Sequence, residues 1–318
     1  MDKNKTSSSH QHQPVLLREV IQALAIRRDG IYIDGTFGRG GHAQAILAAL
    51  SSEGRLLGVD KDPAAIAAGH ALAQKDGRFT IVQASIGDLA RVVSERGWLR
   101  KINGALFDLG VSSPQLENAE RGFSFLQDGP LDMRMNPAVG QSAAEWLANA
   151  KEKEIAEVLR VYGEERYCRR IARAIIQARG LNSLTRTKQL AEVVAKAIPR
   201  WERRIHPATR SFQAIRIFIN HELEELRAAL EQALAALAVK GRLAVISFHS
   251  LEDRIVKRFF REKARGEDLP LDLPVMQEDF QQASLKVLGK PIWPVPEEIA
   301  HNPRARSARL RVAEKQTY

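Results

Sequence analysis

Asp34-Gly-Thr-Phe-Gly-Arg-Gly-Gly-His42 is the stretch from which the fold can be read. A β-rich run at residues 30–34 (GIYID) leads into it, and an apolar helical run at residues 43–50 leads out. Glycines at 35, 38, 40 and 41 let the backbone turn within a few residues and leave amides bare for a ligand. Strand, acid, glycines and helix, in that order, place a binding site at the carboxyl edge of an open parallel sheet, where the strand order reverses.

Reading outward, residues 55–60 (RLLGVD) form a second strand that also ends in an acid, Asp60. Asp62 and Pro63 open the next helix, the acid as N-cap and the proline at the first helical position. Residues 79–83 (FTIVQ) and 102–109 (INGALFDL) are a third and a fourth strand, the fourth closing on Asp108. This alternation predicts βαβ units in a parallel sheet. The pattern then changes. Residues 110–137 are rich in Gly, Ser, Pro and Asp and read as loop, and residues 143–198 read as helices without a strand. A long helix begins near Asn220 and leads into the apolar strand 242–248 (RLAVISF). Ser250-Leu-Glu-Asp253 reads as a capping box for the following helix. Residues 266–296 are proline-rich and irregular, and 307–313 suit a final strand. The expected fold is α/β and Rossmann-like with an inserted all-helical domain. Residues 14–112 and 217–318 would form the discontinuous α/β domain, 113–216 the insertion, and 1–13 a disordered polar tail.

At 318 residues and 44% hydrophobic content the chain can build a substantial core. It has no run approaching the roughly 18 apolar residues that span a bilayer, and its polar start is no secretory signal. The single cysteine, Cys168, excludes an internal disulfide and a cysteine-rich zinc site, and it suits a reducing cytoplasm; no metal site is expected. The net charge is +10, and its location matters more than its size. Residues 160–216 carry fourteen Lys/Arg and four acids, an excess equal to that of the whole chain. Such a block attracts polyanions, with a solvated helix face as the plainer alternative.

At the glycine turn, Asp60 is placed to accept hydrogen bonds from two ribose hydroxyls. Gly38-Arg-Gly40-Gly-His-Ala43 also fits a dinucleotide fingerprint, with Asp60 about 20 residues downstream. Against that reading, Asp34 stands where a pyrophosphate would be repelled. An ammonium and a sulfonium would be welcome there, and Asp108 faces the same edge. Three strand-end acids favour a cationic nucleoside, S-adenosyl-L-methionine. His42, just inside the helix, either lines that cofactor or only starts the helix.

Asp108-Leu-Gly-Val-Ser-Ser-Pro-Gln115 follows directly from this edge. Methylation of an exocyclic amino group needs acceptors that turn the nitrogen lone pair toward the methyl. Asp108 is the best candidate, with Ser112, Ser113, Pro114 and nearby carbonyls as alternatives. Ser-Ser-Pro stands where amino methyltransferases carry (Asp/Asn/Ser)-Pro-Pro-aromatic, but it lacks the second proline and the aromatic. Cys168, in a helical basic stretch, suits packing better than the thiol chemistry of ring-carbon methylation. Direct in-line transfer remains. His249, His206 and Arg210 are candidate substrate contacts. Asp132 and Arg134 divide between an internal ion pair and substrate positioning.

The motifs in series resemble the bacterial 16S ribosomal RNA cytosine-N4 methyltransferase family, of the RsmH (MraW) type. They run from HisGlnProValLeuLeu (12–17) through AspGlyThrPheGlyArgGlyGlyHis (34–42), AspLeuGlyValSerSerProGln (108–115), ArgGlyPheSerPhe (121–125), AspGlyProLeuAspMetArgMet (128–135), TyrGlyGluGluArg (162–166), HisProAlaThrArg (206–210) and IleSerPheHisSerLeuGluAspArgIleValLys (246–257) to AsnProArgAlaArgSer (302–307). The resemblance implies a class I S-adenosylmethionine-dependent methyltransferase acting on the decoding-centre cytosine, position 1402 of 16S RNA, in the small subunit; a homodimer is compatible with it. Carried over by motif, cofactor contacts would be Gly40, Gly41, His42, Asp60, Asp108 and Gln115, with Ile86 where a relative has Phe. Arg200, Arg203 and Arg204 join the RNA candidates from the basic block. The chain departs from the family in a longer polar N-terminus and in Lys240-Gly, where relatives often carry a glycine pair. The competing readings are an NAD-type oxidoreductase and a non-catalytic RNA-binding or ribosome-assembly factor.

Overall fold

The computed structural model describes residues 14–200, 206–265 and 283–317. The expected tail at residues 1–13 lies outside them. Seven strands form one sheet: β1 Ile31–Asp34, β2 Arg55–Asp60, β3 Phe79–Gln83, β4 Ile102–Asp108, β5 Leu237–Ser247, β6 Leu285–Val287 and β7 Arg309–Lys315. Their order is β3-β2-β1-β4-β5-β7-β6, parallel except for β7. β1 lies between β2 and β4, so the crossovers run in opposite directions from it and the carboxyl tips of β1 and β4 flank a crevice. The strands are apolar on both faces because helices cover both. Successive residues divide between the two layers. Tyr32, Leu56, Leu106 and Ala244 join the core under helices α1 (Leu17–Leu24), α2 (Gly41–Ala49) and α3 (Pro63–Ala73). Ile33, Leu57, Phe107 and Val245 face a second core built with α4 (Leu89–Ser94).

After α5 (Ser113–Glu117) the chain leaves the sheet for a helical region. It contains α6 (Ala143–Asn149), α7 (Glu152–Gly163), α8 (Cys168–Leu181), α9 (Thr187–Ala197) and α10 (Thr209–Asn220). These helices have a core of their own, with Trp146, Leu159, Ile171, Ile175, Leu190 and Phe212 buried in it. Cys168 opens α8 and is buried there. The chain returns through α11 (Glu222–Ala236), and α12 (Ser250–Arg265) and α13 (Pro296–His301) complete the order. Among the described residues no helix is long and apolar enough to cross a membrane.

Three expectations need correction. Residues 110–137 are not loop throughout, because Ser112 and Gln115 close a capping box on α5. The capping box expected at Ser250–Asp253 is displaced by one residue. The backbone N–H of His249 donates to Glu252 Oε2 (3.3 Å) and that of Glu252 to His249 Nδ1 (3.4 Å), while the Ser250 hydroxyl donates to Glu164 Oε2 (2.8 Å). β5 begins earlier than expected, at Leu237, and passes through Lys240 at φ 67°, the left-handed region that glycine favours. A glycine would adopt that geometry without strain.

Candidate active site

A cleft of about 1750 Å³ opens at the tips of β1, β2 and β4. Gly38, Gly41, His42, Asp60, Ile86, Asp108, Ser112, Ser113, Pro114 and Gln115 line it, together with Phe248 and Glu252 from the end of β5 and the start of α12. The glycine turn is locked from below: the backbone N–H of Gly38 donates to Asp60 Oδ2 (2.8 Å) and that of Asp62 to Asp60 Oδ1 (2.9 Å). Both Asp60 oxygens thus hold backbone, and only their outer lone pairs face the cleft. Gly40 sits at φ 75°, where a Cβ would run into the Phe37 ring at 2.6 Å. A Cβ on Gly41 would collide with Pro14 Cγ.

Two expected contacts stand behind the cleft surface. Gly40 does not line it, and neither does Asp34, which is 1% exposed. Asp34 Oδ1 accepts from the backbone N–H of Thr36 (3.3 Å), while Oδ2 is buried with no hydrogen-bond partner. Burial pushes Asp34 up to about 7, against the pull of the Thr36 N–H and with a further push from Asp60. Asp108 is in a similar state. A quarter of its side chain is open, yet Oδ1 is sealed and without a partner. Burial, then the charges of Asp34 and Glu252, raise it well above the usual carboxylate range.

His42 is buried and neutral, lowered to about 4 by desolvation. Nε2 lies 3.0 Å from the carbonyl of Val15, which can only accept, so the ring proton is on Nε2. Nδ1 is then an acceptor, 3.7 Å from Asp108 Oδ2. Gln115 is engaged within the protein. Its Oε1 accepts from the Ser112 N–H (2.8 Å) and its Nε2 donates to Asp62 Oδ2 (2.7 Å). Asp62 Oδ2 also takes Arg121 Nη1 (2.8 Å), and Asp62 Oδ1 caps α3 through Ala64. The carbonyls of Ser112 and Pro114 accept from Leu116 and Asn118 within the α5 turn, which leaves each one lone pair for a further donor.

The expected substrate contacts scatter. Asp132, Arg134, Arg200, His206, Arg210 and His249 are not among the cleft-lining residues, and Arg203 and Arg204 lie outside the described residues. Asp132 and Arg134 pair with each other, two guanidinium nitrogens reaching the carboxylate at 2.9 and 2.7 Å. The His206 ring packs on Phe125 (4.5 Å) and accepts from the Ala208 N–H. His249 Nε2 stands 3.1 Å from Glu252 Oε1. Although burial pushes Glu252 up, His249, Arg216 and the Phe248 N–H hold it below its usual range. Glu222, His249 and Glu252 bring potential ligand atoms within 4.8 Å of one another, but Arg216 grips both Glu222 oxygens at 2.8 Å and occupies that carboxylate.

Reading by motif missed Phe248 and Glu252, although both lie inside the quoted 246–257 motif. Within the basic block already noted, Arg166, Arg169, Arg170 and Arg173 were counted but not singled out; they are exposed at spacings of three, four and seven residues, one face of the α8 turn and helix. That spacing was visible in the sequence.

Ribosomal RNA small subunit methyltransferase H of Nitrosococcus oceani is 94% identical over 318 residues, covering 100% of both chains. Among solved structures, an rRNA methylase from Streptococcus thermophilus has 12% identity and a TM-score of 0.42 over 96% of this chain and 99% of its own. TrmN from Thermus thermophilus has 12% identity and a TM-score of 0.42 over 94% of this chain and 48% of its own. The MraW methylase family pattern matches residues 9–316, and this chain belongs to that family.

Proposed function

We propose that this chain is an S-adenosylmethionine-dependent methyltransferase that methylates the exocyclic N4 amino group of a cytosine in 16S ribosomal RNA. The observation that carries the reading is the pair of buried carboxylate oxygens without partners, Asp34 Oδ2 and Asp108 Oδ1, at the tips of adjacent strands beside the cleft. Two carboxyls held here without a basic partner favour positive charge in the adjoining cleft, which would offset their ionisation from across the cleft wall. A dinucleotide pyrophosphate would add charge of the wrong sign. The cofactor is held by Gly38, Gly41, His42, Asp60, Ile86, Asp108 and Gln115, with Asp34 and Gly40 supporting from behind. S-adenosylmethionine, when bound, supplies a methyl group on a positively charged sulfur. Asp108 then accepts from the cytosine amino group and turns its lone pair toward the cofactor, with the neutral His42 ring standing 3.7 Å from its Oδ2. Orientation within the cleft does the remaining work.

Residues 113–216 serve as an inserted RNA-binding domain. Arg166, Arg169, Arg170 and Arg173 present a basic stripe to phosphates, and Arg200, Arg203 and Arg204 are further RNA contacts of the same basic block. The substrate is the small ribosomal subunit in the cytoplasm. The test is to incubate small subunits from a deletion strain with labelled cofactor and to map the modified nucleotide. Label on the N4 of one cytosine is expected. No transfer, or label on a ring carbon, overturns the reading. Calorimetry with S-adenosylhomocysteine and with NAD checks the cofactor separately, and binding of NAD alone would also overturn it.

A further inference from the structure

The loop after β4 carries no aromatic residue, although an amino group presented for methylation belongs to a flat base that must be held face-on. The structure supplies one from the neighbouring strand. β4 and β5 pair in parallel with Asp108 opposite Ile246, and the backbone N–H of Leu109 donates to the Ile246 carbonyl at 3.0 Å. Two residues on, Phe248 stands beside Gly110. Gly110 adopts φ 91°, and a Cβ there would touch Phe248 Cδ2 at 3.8 Å, so its glycine leaves that part of the ring uncovered. The ring is half-buried, with one side packed on the core above β5 and the other lining the cleft. Its backbone is fixed by the N–H that donates to Glu252 Oε2 (2.8 Å).

Among the described cleft-lining residues the benzyl rings are Phe37 and Phe248, with no Tyr or Trp. Phe37 is 3% exposed and stacks on Phe79 at 5.3 Å, which leaves little of its ring open to a base. We infer that Phe248 is the stacking platform for the target base, holding a flipped-out pyrimidine ring beside Asp108. The inference rests on the functional reading above and names the residue that selects a planar base. Stacking on an aromatic ring tolerates exchange between aromatic types but not replacement by an aliphatic side chain.

The test compares Phe248→Tyr, Phe248→Leu and the unchanged chain with small subunits and labelled cofactor. Leucine retains apolar volume on the core side and guards against loss of the fold, which binding of S-adenosylhomocysteine checks directly. Phe248→Leu should bind that ligand as the unchanged chain does, yet lose on the order of 10- to 100-fold in kcat/KM, while Phe248→Tyr stays within a few-fold. An RNA carrying a fluorescent cytosine analogue at the target position should be quenched by the unchanged chain and by Phe248→Tyr, but not by Phe248→Leu. If the unchanged chain transfers no methyl group, the functional reading fails and this inference with it. If it transfers normally and Phe248→Leu matches it in rate and quenching, only this inference is overturned. Equal loss of ligand binding and transfer in Phe248→Leu also overturns it, since the residue would then be structural.

Discussion

Replacing Asp34 by Asn should make the cofactor-free protein more stable at high pH. The Asp34 carboxyl is pushed from 3.8 up to about 7 by burial. The folded chain therefore binds a proton there that the unfolded chain has already released. For a carboxyl with a raised folded pKa, stability is highest below the unfolded value and falls as pH climbs to the folded one. Between about pH 5.5 and pH 7 the loss is about 1.4 kcal/mol per unit, or about 2 kcal/mol, and above pH 7 it levels off. Asn keeps the acceptor for the Thr36 N–H and removes the titration. Its advantage over Asp should therefore grow by about 2 kcal/mol from about pH 5.5 to about pH 8.5. With about 2.1 cal/mol/K per residue over this chain, that is a relative rise of about 3 °C in Tm. Thermal melts at the two pH values check it. The second half of the experiment adds S-adenosylmethionine. Its affinity for the unchanged chain should rise with pH as Asp34 ionises, while Asp34→Asn binds more weakly at high pH with a flatter profile. A Tm gap that does not change with pH would refute the argument that the Asp34 charge is held uncompensated for a cationic ligand.

Asp108→Ala should abolish label transfer to small subunits while melting no lower than the unchanged chain, since it removes a buried oxygen without a partner; calorimetric melts beside the transfer assay check both. Replacing Arg200, Arg203 and Arg204 together with Ala should weaken RNA binding and flatten its dependence on log salt by about 2, at about 0.7 per lost single-strand contact, read by filter binding across a salt series. An unchanged slope removes those residues from the interface. Lys240→Gly should raise stability by about 0.5–1 kcal/mol, because the left-handed backbone there strains a side chain whose exposed contacts to Glu314 and Gln316 contribute little. Denaturant midpoints at constant slope check it.

The sheet was legible because each of its first four strands is a short apolar run that ends in a polar residue at the cleft edge. Asp62 also behaves as the sequence says, with its side chain accepting from Ala64 at the start of α3. β6 is only three residues long, too short for any periodicity. The α5 turn could have been found, because Ser112 and Gln115 have capping-box spacing, but the flanking glycine and proline suggest a loop. Composition could not show that Asp132 and Arg134 satisfy each other, or that the Gln115 amide binds Asp62. The second depends on a partner far along the chain, Asp62 and Gln115 being separated by 53 residues, and the first on how the loop holds two near neighbours. The candidate site was legible as a place, the edge where three acids converge. The division between residues on the cleft wall and residues behind it was not, because burial of Asp34 is set by the turn that covers it.

The cleft is assembled from distant parts of the chain. Asp108 and Ile246 are paired neighbours in the sheet, yet the whole helical region is synthesised between them. The Leu16 N–H donates to Glu298 Oε1 across 282 residues, and Val295, Glu297 and Arg304 form part of the cleft wall. Contacts of such separation close late, after local helices have formed. A nascent chain can therefore fold its helical, basic region while the cofactor cleft still lacks a wall. The order of synthesis thus separates two assemblies, a basic surface complete within one stretch of chain and a cleft that waits for the C-terminal segment.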